Sequence, residues 1–223
     1  MKWGIELPFG FGIDTIYIVP AVILALSFHE LSHGFISYKL GDLTAKSQGR
    51  ITMNPMKHID IIGLFMLIHF GFGWAKPVSV DVRYFKNPKT GMALTALAGP
   101  LSNFILAYFA MFIWSLLLPI NNNDIIGILS KFLIILAQIN VGLAIFNLLP
   151  FPPLDGSKIL MAFLPDDQYY TILQYERYGM IILVIVLISG FFDPLLFFLR
   201  SFAMDFLIKI ASGPVIWLYD IIL

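Results

Sequence analysis

Residues 15–40 form a largely apolar run about as long as a bilayer is thick, since a spanning helix needs roughly 20 such residues. Inside it stands His29-Glu30-Leu31-Ser32-His33. On a helix, positions i and i+4 share one face, so His29 and His33 can grip a single ion. Glu30 is then placed to take a proton from a water held there. A charged side chain at mid-membrane costs roughly 2.5–3.5 kcal/mol on insertion scales, so a His-Glu-His trio at that depth is functional by default. In a soluble chain the motif points to zinc-dependent proteolysis. Surrounded by lipid, it points to hydrolysis where water is scarce.

The rest of the chain agrees with a membrane setting. Of 223 residues, 59% are hydrophobic and 13% charged, and mean hydropathy is +0.86. A soluble domain is nearer ~45–50% apolar and about 25% charged. Net charge is zero, which gives nucleic acid nothing to bind. With no cysteine there are no disulfides or thiolate ligands, and the compartment stays undecided. Residues 1–14 carry Glu6, Pro8 and three glycines rather than a basic region followed by an apolar core. They do not read as a signal peptide, and the first hydrophobic helix is expected to act as its own insertion signal.

Further apolar stretches lie at 59–73, 91–118, 125–149 and 178–222, the last long enough for two helices with a turn near Asp193-Pro194. The expected fold is an all-α polytopic membrane protein of about five to six hydrophobic helices. The 59–73 segment would cover roughly 22 Å of a ~30 Å hydrocarbon core. Lys39, Lys46, Arg50 and Lys57 precede it, and Lys76, Arg83, Lys86 and Lys89 follow. Both flanks prefer the cytosol, so 59–73 is read as non-spanning. The turn at 119–124 lacks positive charge and fits the outer side. Residues 150–177, with Lys158 and Arg177, return to the cytosol. Val78–Tyr84 alternates apolar and polar residues, which predicts a strand. A free strand edge there could pair with an extended peptide, or form a plain hairpin blunted by Pro77 and its charges.

Two histidines do not complete a catalytic zinc site, which takes three protein ligands and leaves a fourth position open. His58 reads as an interfacial loop residue, and His69 is a rival third ligand. The best candidate is Asp155, in Asn147-Leu-Leu-Pro150-Phe-Pro152-Pro153-Leu-Asp155-Gly156. The three prolines cannot continue a helix, so the chain must unwind there. Gly156 permits a tight backbone path after the aspartate. Both elements come to similar depth near the cytosolic face.

His29–His33 together with Asn147-x-x-Pro150 and Leu154-Asp155-Gly156 resembles the site-2 protease family of intramembrane metalloproteases. Gly99-Pro100-Leu101-Ser102-Asn103 looks like that family's small-residue motif, where Gly99 and Asn103 let helices pack closely. The resemblance covers residues 15–160, the expected core of one domain spanning 1–223, with C-terminal helices at 178–222. It implies one catalytic Zn2+ on His29, His33 and Asp155, with Glu30 as general base and acid. It implies substrate contact for Asn147 and a short membrane-associated β-hairpin near 78–84. There is no room for the PDZ or CBS modules of larger members, so the chain looks like a minimal, core-only one.

By the same resemblance, substrates are transmembrane proteins or signal-peptide-derived segments, cut near the cytosolic side. The expected place is the plasma membrane of a prokaryote, with several passes through lipid. A second copy of the chain or a regulatory membrane partner stays open. Two other readings use the same residues: a metal-binding membrane transporter, and an inactive relative that binds membrane segments. The first is disfavoured because ionisable groups in the outer halves of the helices stand only near their ends. The second is disfavoured because every residue the chemistry needs is present.

Overall fold

The computed structural model describes residues 15–70, 74–120 and 124–222, without the side chains of 64, 67–70, 170, 173, 177 and 218–222. The leader reading at 1–14, the tip of the turn at 121–123 and the His69 side chain therefore lie outside the described residues. Helix α1 runs Thr15–Lys39, α2 Thr44–Ser47, α3 Ile61–Phe70 and α4 Pro88–Leu117. Helix α5 runs Asp124–Asn147, α6 Asp155–Met161, α7 Asp166–Ile188 and α8 Asp193–Ile222.

Three of the described helices are long and apolar enough to cross a membrane: α1, α4 with its extension to Ile120, and α5. Helix α7, bent by 69° between Asp166–Glu176 and Tyr178–Ile188, makes a fourth if its halves form one span. With ten residues, α3 reaches about 15 Å and falls short of a span. The predicted end of α1 holds to within one residue. Gly41, at φ 109°, takes the left-handed position that ends α1. Helix α7 starts well before the predicted 178, because Pro165 and the acidic pair Asp166 and Asp167 make a favourable first turn. The turn near Asp193-Pro194 falls at 189–192, and Pro194 sits in the first turn of α8, where its missing N–H costs nothing.

Helix α4 is central and packs against α1, α5, α6 and α8. Its inward face, Met111 apart, is mostly small or polar: Gly91, Thr95, Ala96, Gly99, Asn103, Ala107 and Ala110 are buried. Leu94, Leu97, Leu101, Ile105, Phe109 and Ile113, spaced three or four apart, are exposed on its other face. A water-soluble helix does the reverse. In lipid, small residues let backbones approach and large apolar ones face the acyl chains.

The predicted strand at 78–84 has no ladder among the described residues. The segment is extended to Asp81 and then forms a 3-10 turn at Val82–Tyr84. One isolated antiparallel bridge joins Ile59 to Ala75, beside a bond from Lys76 N–H to the His58 carbonyl at 2.8 Å. The backbone groups that a ladder would use go to side chains of α1 and its exit loop. Val78 N–H donates to Glu30 Oε2 and Asp81 N–H to Asp42 Oδ2, both at 2.8 Å.

Asp42 is the buried anchor of this arrangement. It also accepts from Ser37 Oγ at 2.7 Å and Thr44 N–H at 2.9 Å. Burial pushes its carboxyl pKa up, but the hydrogen bonds to its charged form outweigh that and hold it below the usual value. A depressed carboxylate pKa contributes stability above the unfolded-state pKa of ~3.9, and that stability is lost as pH falls through the folded value. Asp42→Asn should therefore melt below wild type above about pH 5, with the gap narrowing under about pH 4. Thermal unfolding followed by circular dichroism in detergent across that range checks this, and a gap independent of pH would contradict it.

Candidate metal centre

One helical turn separates His29 from His33, and α1 aims both rings toward α4 and α6. Their Nε2 atoms lie 3.0 Å apart, with ring planes at 87°. Asp155 arrives from the far end of α5. That helix ends at Asn147, and the proline segment turns through bonds from Phe151 N–H to Leu149 O and Leu154 N–H to Phe151 O, both 2.8 Å. Asp155 then opens α6. The expected unwinding is present, and Gly156 is the point of a tight backbone approach. It is helical, and a Cβ there would collide with the Leu148 and Leu149 carbonyl oxygens. Its missing side chain lets α6 start against the end of α5.

Asp155 Oδ2 stands 3.2 Å from both His29 Nε2 and His33 Nε2. The three residues are 5%, 9% and 8% exposed, and each offers a ligand atom within 4.8 Å of the others.

The outer ring nitrogens are both engaged. His29 Nδ1 meets Asn103 Oδ1 at 2.6 Å and His33 Nδ1 meets the Thr95 carbonyl at 2.7 Å. Each neutral ring then carries its proton on Nδ1 and turns a bare Nε2 inward. Asp155 Oδ2 is buried without a hydrogen-bond donor. Three electron-rich atoms converging with no proton among them fit a cation, and two imidazoles with one carboxylate is a zinc donor set.

Gly99 of α4 completes the wall. A Cβ there would lie 2.5 Å from His33 Nε2 and 2.6 Å from His29 Cε1. It is the small residue the sequence indicated, and what it packs on is the pair of imidazoles. Glu30 is half-buried beside the cluster and held by the Val78 amide. Asn147 donates to the Leu143 carbonyl of its own helix at 3.0 Å.

Three features escaped the sequence reading. Asn103 does more than pack, since it touches His29. Asn140, fully buried, bonds Asn103, and a polar residue inside an apolar helix was the signal for it. His58, read as an interfacial loop residue, is packed within its loop: it is 0% exposed and bonds the Thr52 carbonyl through Nε2 at 2.8 Å. The bridge at Ile59 folds the loop over it.

Residues 118–189 match the model of peptidase family M50, a stretch that includes Asp155. The chain is 37% identical over 200 residues to the candidate zinc metalloprotease YwhC of Bacillus subtilis, covering 88% of this chain and 91% of that one. It is 26% identical over 198 residues to Rip2 of Mycolicibacterium smegmatis, a candidate zinc metalloprotease, covering 86% and 74%. To MJ0611 of Methanocaldococcus jannaschii, named in the same way, it is 33% identical over 134 residues, covering 60% and 63%. No solved structure gives a significant match. An apolar helical bundle, a His-His-Asp cluster and a relative matched over nearly its whole length lead to one conclusion: the chain belongs to peptidase family M50, the site-2 protease family of zinc metalloproteases.

Proposed function

We propose that this zinc metalloprotease cuts peptide bonds inside membrane-spanning segments of other proteins, near the cytosolic side. The observation that carries this is the position of His29, Glu30 and His33 on α1, a helix long and apolar enough to cross a bilayer, with Asp155 of α6 brought against the two histidines. His29, His33 and Asp155 would hold the zinc. When bound, zinc supplies a water acidified toward neutrality and an electrophile for the scissile carbonyl. Glu30 takes the proton of that water and returns it to the departing amine nitrogen. The Val78 amide holds the Glu30 carboxylate in place meanwhile. Asn147, at the last turn of α5, contacts the substrate backbone.

Residues 1–223 act as one domain, with a core at 15–160 and the C-terminal helices α7 and α8 that raise the hydrophobic helices to five or six. The extended piece at 75–81 and its bridge to Ile59 stand in for the membrane-associated hairpin. Substrates are single transmembrane segments or signal-peptide remnants. Bacterial and archaeal relatives support a prokaryotic plasma membrane, crossed several times.

The test is cleavage of defined transmembrane segments by the purified protein in liposomes, with and without a zinc chelator. Product should form only with zinc, at bonds within the segment. Cuts confined to soluble flanks would overturn the reading, and zinc flux without cleavage would favour a transporter. His29→Ala and Asp155→Asn should each reduce bound zinc from near-stoichiometric to background, measured by atomic absorption. Full retention would remove those residues from the ligand set.

A further inference from the structure

The metal cluster lies at the end of a buried chain of side-chain amides. Asn103 Oδ1 faces His29 Nδ1 at 2.6 Å. Asn103 Nδ2 donates to the Ala25 carbonyl at 3.0 Å and to Asn140 Oδ1 at 2.7 Å. Asn140 Nδ2 donates to the Leu136 carbonyl at 2.8 Å. Both asparagines are 0% exposed.

An amide group alone leaves its orientation open, since its oxygen and nitrogen are alike in shape. Here two backbone carbonyls, which only accept, decide it. The Ala25 carbonyl requires the Asn103 NH2 on its side, which leaves Oδ1 for His29. The Leu136 carbonyl requires the same of Asn140, which leaves its Oδ1 for Asn103. Both hydrogens of the Asn103 amide are then used. Reversing it would set oxygen against oxygen at Ala25 and at Asn140 together. The group facing His29 Nδ1 can therefore only accept, and the proton of the neutral ring stays on Nδ1.

His33 is held by a backbone carbonyl, that of Thr95. His29 is held by a side chain, that of Asn103 on α4, which is itself held by Asn140 on α5. We infer that Asn103, locked in one orientation by Asn140, is a positioning residue that sets the tautomer of His29 and so the zinc affinity of the site. This rests on the reading of His29, His33 and Asp155 as ligands. A purely structural pair of asparagines, gluing α4 to α5, would change melting behaviour and leave zinc affinity alone.

The experiment measures zinc dissociation constants of the full chain in detergent by competition with a chromogenic chelator. Asn103→Leu should weaken zinc by about 10–100-fold, the usual cost of losing such a partner. Asn140→Leu should weaken it less, and should add nothing in the Asn103→Leu background, because the two act in series. In 15N spectra of metal-free, histidine-labelled protein, the Nδ1–H signature of His29 should be lost with Asn103→Leu. Wild-type zinc affinity in Asn103→Leu overturns the inference, as does an Asn140→Leu effect of full size in the double variant. If Asn103→Leu does not fold, Asn140→Leu decides: weakened zinc supports the relay and unchanged zinc overturns it. His29→Ala separates the two levels, since zinc retained there refutes the ligand assignment itself.

Discussion

Glu30→Gln should bind zinc as wild type does and cut its substrate at least ~10²–10⁴-fold more slowly, the range general acid–base catalysis supplies. The substitution is nearly isosteric. The glutamine oxygen can still accept from Val78 N–H, so the contact between α1 and the extended 75–81 segment survives. On the proposed assignment zinc is held by His29, His33 and Asp155, so its content should not change. What disappears, on the proposed mechanism, is the carboxylate that takes a proton from water and delivers it to nitrogen. Single-turnover cleavage of a fluorogenic transmembrane peptide, with zinc measured on the same preparation, separates the outcomes. Undiminished cleavage would sink the mechanism, and lost zinc would make Glu30 a structural residue.

Gly99→Ala should cost the site its metal while leaving the helices intact. Alanine is the better helix former by about 1 kcal/mol, so α4 itself gains. The added methyl, however, would sit 2.5 Å from His33 Nε2 and 2.6 Å from His29 Cε1. Neither ring can simply swing away, because Asn103 and the Thr95 carbonyl hold their outer nitrogens. The inner nitrogens must leave their places, and zinc affinity should fall about tenfold or more, as it does when ligand orientation is disturbed. Equilibrium dialysis with circular dichroism checks both halves. Normal zinc binding by Gly99→Ala would show that α1 and α4 can separate freely.

These two substitutions also mark what could be read in advance. Glu30 and its flanking histidines announce themselves because charge inside an apolar helix needs a reason, and Asp155 follows from prolines that must break a helix where a third ligand is wanted. Alternation at 78–84 misled because side-chain period says nothing about where backbone amides find acceptors. Val78 and Asp81 give theirs to Glu30 and Asp42, residues distant in sequence. Asn103 and Asn140 were invisible as a pair, since their meaning depends on which helices stand side by side. The burial of His58 was not legible either, because only the fold of its loop produces it.

The contact of Gly156 with Leu148 and Leu149 closes the proline segment into a small ring, in which the chain leaves α5 and returns to touch the residues just past its end. A ring has a fixed perimeter. One extra residue in it would lift Gly156 off those carbonyls or turn Asp155 by about 100° around α6. The distance along the chain from Asn147 to Asp155 is thus a length set by closure, comparable to the ring size of a chelate. Insertions that enlarge this chain have to enter elsewhere.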